Sequence, residues 1–256
     1  MKVLMINSFN EFIEKILDIS KQWGKPSGYL WCRGNEDDDL KLLPGVHRLN
    51  ITLKQETTII TEFLINYKSF VQDKEMDSWE LYYMMQHYGM PTRLLDWTKS
   101  PFNALFFAFE NEGDDAKRVV WVMQPEMLNK KNVGIEAILT PYKSPNIEGL
   151  NIAGYLPKKL RSTSKNIPSK PIAIEPILSN RRIVAQQGCF TIHGRENKPI
   201  NDYVNNKYFF KLKFGPTMTR DSVMSELRVM GIKEEVIYQD LNSLSKRIIA
   251  EEVWKY

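Results

Sequence analysis

The run from Gln86 to Phe109, QHYGMPTRLLDWTKSPFNALFFAF, constrains this chain more than any other stretch. Gly89 and Pro91 must interrupt a helix that arrives from the N-terminal side, because glycine accepts positive φ and proline disfavours the helical region for the residue before it. Ser100 followed by Pro101 has the form of an N-cap and a first helical residue, which predicts a buried helix over Phe102 to Glu110. Between the two helices the spacing predicts a polar turn holding Arg93, Asp96 and Thr98. A histidine, an arginine, an aspartate, a tryptophan and a threonine fall between His87 and Thr98, so the segment offers a site as well as a boundary.

The flanks read as alternating helix and strand. Ser8 and Glu11 have capping-box spacing ahead of Phe9, Phe12, Ile13, Ile16 and Leu17, predicting a helix over residues 8 to 23. Tyr29 to Gly34 reads as a short buried strand that ends with Arg33 in a position to enter a cleft. Apolar residues from Ile59 to Val71 recur at three and four, predicting a long helix over residues 52 to 73, and a second helix starts at Asp77 or Ser78. Arg118 to Met123 reads as a strand, residues 129 to 180 as largely irregular, and Arg182 to Ile192 as a strand that Gly188 bends. Tyr208 to Phe214 is a further strand; Thr219 to Met230 and Leu241 to Trp254 are closing helices. This order implies a single α+β domain over residues 1 to 256, with a mixed or antiparallel sheet flanked by helices.

Composition removes several classes of function. Hydrophobic residues make up 43% and charged residues 26% of the 256, as in an ordinary globular protein, and no window reaches the ~18 apolar residues of a membrane span. Cys32 and Cys189 stand far apart and three histidines, His47, His87 and His193, are dispersed, so no metal site is expected. A reduced, cytoplasmic protein with no membrane partner is the corresponding expectation. The chain contains neither a dinucleotide-binding glycine fingerprint nor a P-loop, a zinc-protease motif or a nucleophile elbow. The net charge of +4 permits an anionic partner. Lys158, Lys159, Arg161 and Lys165 lie in a stretch without acids and offer a nucleic-acid contact.

Trp31-Cys32-Arg33-Gly34, Leu43-Pro44 with Arg48, the run from Gln86 to Thr98, and Arg182 with Gln186, Gln187, Gly188 and Phe190 together resemble the FRG domain family. The departure is Cys32, where the family motif usually carries phenylalanine or tyrosine. A weaker similarity is to ADP-ribosyltransferases, which grip NAD with an arginine or histidine on a first strand, follow with a serine or threonine motif ahead of an AxxFA-like helix, and place a glutamate on a later strand. Arg33 resembles the first element and Asp96-Trp97-Thr98 with Ala104 to Ala108 the second, whereas Gln186 and Gln187 stand where the glutamate would be.

That similarity implies an ADP-ribosyltransferase-like fold and an NAD-dependent mono-ADP-ribosyltransferase. Such an enzyme would be a toxin or phage-defence effector acting on RNA or protein, with an antitoxin protein as a further partner. In that reading Arg33, Thr98, Gln187, His87 and Asp96 are catalytic, and Arg33, Gly34, Gln86, Arg93 and Thr98 hold the cofactor. NAD is then a substrate and no metal is needed. The alternative is a non-catalytic module that binds a nucleotide or nucleic acid, which the basic 157 to 171 loop and the missing glutamate favour. A third reading makes the polar residues an internal network that fixes the fold.

Overall fold

The computed structural model describes residues 2–24, 30–71, 75–141, 150–160, 167–177 and 181–253. Its centre is a seven-stranded sheet with strands β1 (Lys2–Ile6), β2 (Trp31–Asn35), β3 (Leu94–Thr98), β4 (Val119–Met123), β5 (Ile172–Ile174), β6 (Gly188–Ile192) and β7 (Phe209–Phe214). They lie in the order β1-β7-β4-β2-β3-β6-β5. Only β1 and β7 run parallel; the other neighbours are antiparallel. The helices are α1 (Phe9–Trp23), α2 (Gly45–Arg48), α3 (Leu53–Asn66), α4 (Ser78–His87), α5 (Pro101–Phe109), α6 (Pro125–Val133), α7 (Arg181–Ala185), α8 (Arg220–Val229), α9 (Glu234–Tyr238) and α10 (Leu241–Glu252). The fold is α+β, as the sequence predicts.

Alternation along the strands explains how both faces of the sheet are buried. Leu95 and Trp97 on β3, Val119 and Trp121 on β4 and Phe209 on β7 share one apolar cluster with Leu42 and Tyr203. The opposite face is covered by two separate clusters. One places α1, α5 and α8 against Cys32, Val120, Val122, Phe210, Leu212 and Phe214. The other places α3 and α4 against Leu94, Phe190, Ile192, Ile172 and Ile174.

The division between these two clusters follows a break in the sheet. β2 forms a five-residue ladder with β4, and β3 forms one with β6, yet β2 and β3 are paired only at Cys32 and Thr98. Beyond that pair the strands diverge, and the two halves of the sheet open a wedge between α5 and α4.

Local chemistry sets the elements that flank the wedge. Asp77 caps α4 by accepting from the backbone N–H groups of Trp79 and Glu80, and Ser100 caps α5 by accepting from that of Asn103. α5 is apolar on nearly every side, with Ala104, Leu105, Phe106, Ala108 and Phe109 at most 1% exposed. Burial of each large side chain there is worth roughly 1.5–3 kcal/mol. Such a helix must lie close on the sheet, and Gly34 makes that possible: a Cβ at this position would stand 1.9 Å from the Ala104 carbonyl oxygen and 2.6 Å from the Ala108 nitrogen.

Two expectations change. Asp96 and Thr98 lie on a strand, not in a turn, because β6 completes a backbone ladder with them. Residues 181–185 form α7 where a strand was expected, and only Gly188–Ile192 joins the sheet. Tertiary ties override the β-propensity here: the carbonyls of Gln186 and Gln187 accept from the Thr98 hydroxyl at 2.6 Å and the Lys99 backbone N–H at 3.0 Å, which holds the turn away from the ladder. The strand β1 and the helix α6 were not foreseen.

Replacing Gly34 by alanine should destabilise the protein by at least the ~1–3 kcal/mol typical of overpacking, since the obstructing atoms are helix backbone. Urea unfolding with an unchanged midpoint would contradict the close packing of α5 on β2.

Candidate functional site

The wedge contains a cavity of about 500 Å3 whose wall draws on every element around the break. β2 and the residues after it give Arg33, Gly34, Asn35 and Glu36; β3 gives Asp96, Trp97 and Thr98; α4 gives Tyr83, Gln86 and His87. Phe107 and Glu110 come from α5 and its end, Arg182 and Gln186 from α7 and the turn after it, and Tyr238 from α9.

Arg33 bridges the opening. Its Nη1 donates to the Asp96 carbonyl oxygen at 2.7 Å and lies 4.0 Å from the Asp96 carboxylate. The guanidinium thus supplies the hydrogen bond that a neighbouring strand would have made. Burial pushes its pKa down, against the pull of Asp96, and the charge of Arg48 adds to the burial. The Asp96 carboxylate is oriented from the other side by a relay: Thr92 donates its hydroxyl to Gln86 Oε1, and Gln86 Nε2 donates to Asp96 Oδ2 at 2.7 Å. The relay fixes the Gln86 amide, because its oxygen must face Thr92 and its NH2 group Asp96.

Thr98 donates to the Gln186 carbonyl oxygen at 2.6 Å and accepts from the Ser100 backbone N–H at 3.0 Å. It therefore ties β3 to the turn that carries Gln186 and retains one lone pair. Arg33 Nε, Gln186 Nε2 and the Tyr83 hydroxyl are buried on this wall without a hydrogen-bond partner among the described residues. Each such group carries an unmet demand of about 1–3 kcal/mol.

The titratable groups are separated by their surroundings. His87 has its pKa lowered by burial and by the charge of Arg182, so its ring is neutral at pH 7. Glu110 has its carboxyl pKa raised by burial, while a hydrogen bond from the Tyr238 hydroxyl opposes the shift. The Cys32 thiol is pushed up to about 12 by burial, which removes it as a nucleophile. Among the described residues the one group of acids close enough to share an ion is Asp37, Asp38 and Asp39, and Asp38 is paired with Lys211 and Lys213 at 2.7 and 2.9 Å.

Of the residues singled out in the sequence, Arg33, Gly34, Gln86, His87, Asp96 and Thr98 converge on this cavity. Gly34 owes its lack of a side chain to α5 rather than to a ligand. Arg93 does not reach the cavity. It is 2% exposed and forms a bidentate pair with Glu56 on α3 at 2.8 and 2.7 Å, while its Nη1 donates to the Gly194 carbonyl at 2.9 Å. It is thus a structural arginine that fastens α3 to the ends of β3 and β6.

Gln187 also turns away: it is exposed, at φ 48°, and its neighbour Gln186 lines the cavity instead. Lys158 and Lys159 are exposed on a single 3-10 turn outside the cavity, and Arg161 and Lys165 lie outside the described residues. Arg182, Glu110, Gln186 and Tyr238 complete the wall. Glu110 had one visible signal, as the single acid closing an otherwise apolar helix. Tyr238 had none.

An α+β protein with a charged, aromatic-walled cavity at a split sheet is the class that these features define. Residues 28–117 match the family model of the FRG domain. The match covers β2, α3, α4, β3 and α5, and stops before α7, β6 and α9. No curated protein and no solved structure matches the chain. No helix among the described residues is long and apolar enough to cross a membrane.

Removing one partner of the buried Arg93–Glu56 pair should cost about 3–5 kcal/mol, so Glu56→Ala is expected to lower the denaturation midpoint steeply. An unchanged midpoint would show that α3 is held by packing alone.

Next to this pair, His47 and His193 stand with ring centroids 5.7 Å apart. His193 is fully buried, and burial, with His47 as the next cause, pushes its pKa down to about 3. The unfolded chain binds a proton at this histidine below about pH 6.5 and the folded chain does not, so stability falls by up to about 1.4 kcal/mol per pH unit as pH drops from 6.5 to 5. His193→Leu should flatten that slope in pH-dependent unfolding; an identical slope in the variant would assign it elsewhere.

Proposed function

We propose that the cavity binds NAD and that the protein transfers the ADP-ribosyl group to an acceptor. The observation that carries this reading is the convergence of Arg33, Asp96, Thr98, Gln86 and Gln186 on one cavity at the break in the sheet. A volume of about 500 Å3 lies within the range of about 300–1,000 Å3 typical of small-molecule sites. Two guanidiniums, Arg33 and Arg182, offer planar donors to a diphosphate, and Tyr83, Phe107, Phe190 and Trp97 offer apolar faces to a flat ring.

The Asp96 carboxylate and the Gln186 amide are matched to ribose hydroxyls, the first as acceptor and the second as donor. Thr98 positions Gln186, and the neutral ring of His87 is able to accept a proton. The acceptor in this reading is RNA or protein, and the activity suits a toxin or phage-defence effector restrained by a partner protein. A module that holds a nucleotide without cleaving it would use the same cavity, and release of nicotinamide separates the two.

Arg33→Ala removes charge-assisted hydrogen bonds worth about 1.5–3 kcal/mol each, so NAD affinity measured by calorimetry should fall by about tenfold or more, with Arg33→Lys between the two. Circular dichroism should remain unchanged, which separates lost binding from lost fold. Wild-type protein that neither binds NAD nor labels RNA or protein from labelled NAD would end this reading.

A further inference from the structure

Glu110 sits at a junction. It lines the cavity together with Asn111 and Tyr238, and the same three residues line a second groove of about 940 Å3 bordered by α8, α9 and α10. A molecule in the cavity and a molecule in the groove would therefore meet at this carboxyl.

Its position is fixed unusually firmly for a helix end, where carbonyl groups otherwise lack partners. Arg118 donates from Nη1 to the Ala108 carbonyl and from Nη2 to the Asn111 carbonyl, both at 2.7 Å, and Arg220 on α8 donates from Nε and Nη2 to the Glu110 carbonyl at 3.3 and 3.0 Å. With the backbone held in this way, the Glu110 side chain accepts a hydrogen bond from the Tyr238 hydroxyl on α9. The Tyr238 ring lies under the Arg182 guanidinium, 4.6 Å from its centroid.

The groups that face Glu110 act in both directions. Burial and the acids Glu234 on α9 and Glu36 beyond β2 raise its pKa, while Tyr238 and Arg182 on α7 lower it. A carboxylate whose pKa is moved toward neutrality is a better base than one in water, and Gln186 and Gln187 have no basic group to offer.

We infer that Glu110 is the base that takes the acceptor's proton in the transfer from NAD, a role that rests on the reading given above. As the acceptor's oxygen or nitrogen forms its bond to the anomeric carbon of the nicotinamide ribose, the carbon–nitrogen bond to nicotinamide breaks. Its electron pair goes to the pyridinium nitrogen and neutralises that charge. The proton of the acceptor passes to Glu110 and from there to solvent.

The test compares nicotinamide release by wild type, Glu110→Gln and Tyr238→Phe, with water, RNA or protein as acceptor, alongside NAD affinity by calorimetry. Glu110→Gln should lose about 100-fold or more in rate with NAD affinity unchanged. The wild-type rate should rise with pH through one ionisation. Tyr238→Phe should move that midpoint to higher pH, because the lost hydrogen bond is one that holds the Glu110 pKa down.

A Glu110→Gln rate within about threefold of wild type, or a Tyr238→Phe midpoint that stays in place, would overturn the assignment even where NAD is bound. Wild type that binds NAD and releases no nicotinamide with any of these acceptors would also overturn it. Wild type that binds no NAD would remove the underlying reading first.

Discussion

The rest of the structure depends on a single missing stretch of backbone pairing. Were β2 and β3 zipped along their length, Gly34 would stand opposite Asp96 and Arg33 opposite Trp97 in a closed ladder, and α4 and α5 would pack over one continuous core. Instead the strands share the pair Cys32 and Thr98 and then part. The Asp96 carbonyl, left without a strand partner on this side, accepts instead from Arg33, which reaches across the opening. The arginine therefore spans the opening and, with Arg182, gives it positive charge.

This dual use explains why the residues around the break are polar in a region otherwise lined by buried apolar side chains. Thr92, Gln86 and Asp96 hydrogen-bond in series, and Thr98 ties the turn after α7 to β3. Gln86, Asp96 and Thr98 line the cavity as well, and Thr92 stands behind them as the donor that orients Gln86. The same residues serve fold and site, so an internal network and a ligand-binding wall are not competing accounts of them. Arg93 alone belongs wholly to the fold, through Glu56.

Much of this was legible in the sequence because it is local. Caps such as Asp77 and Ser100 act over two or three residues, and the apolar periods of α1 and α3 reflect the face each helix buries. The misreadings share a different cause. Whether Leu94 to Thr98 is a turn or a strand is decided by β6, nearly a hundred residues away, and whether Arg182 to Ala185 extends is decided by Thr98 and Lys99. Gln186 was exchanged for Gln187 because the two lie in a turn rather than on the expected strand, and there Gln187, at φ 48°, is exposed while Gln186 lines the cavity. Tyr238 was invisible because a tyrosine on a short helix carries no sign of what it will meet.

β1 has a consequence for how the molecule comes together. Its sheet partner is β7, with Lys2 opposite Phe210, so the edge of the sheet is completed by two segments separated by about 200 positions. Contacts between such distant segments repay their loop entropy only after most of the chain is in place, and topologies rich in them fold slowly. The wall of the cavity has the same character, since Arg33 and Tyr238 come from opposite ends of the chain. Assembly of the half-sheet made by β3, β6 and β5 therefore yields no competent cavity, and whatever chemistry the cavity performs begins only when the whole molecule has closed.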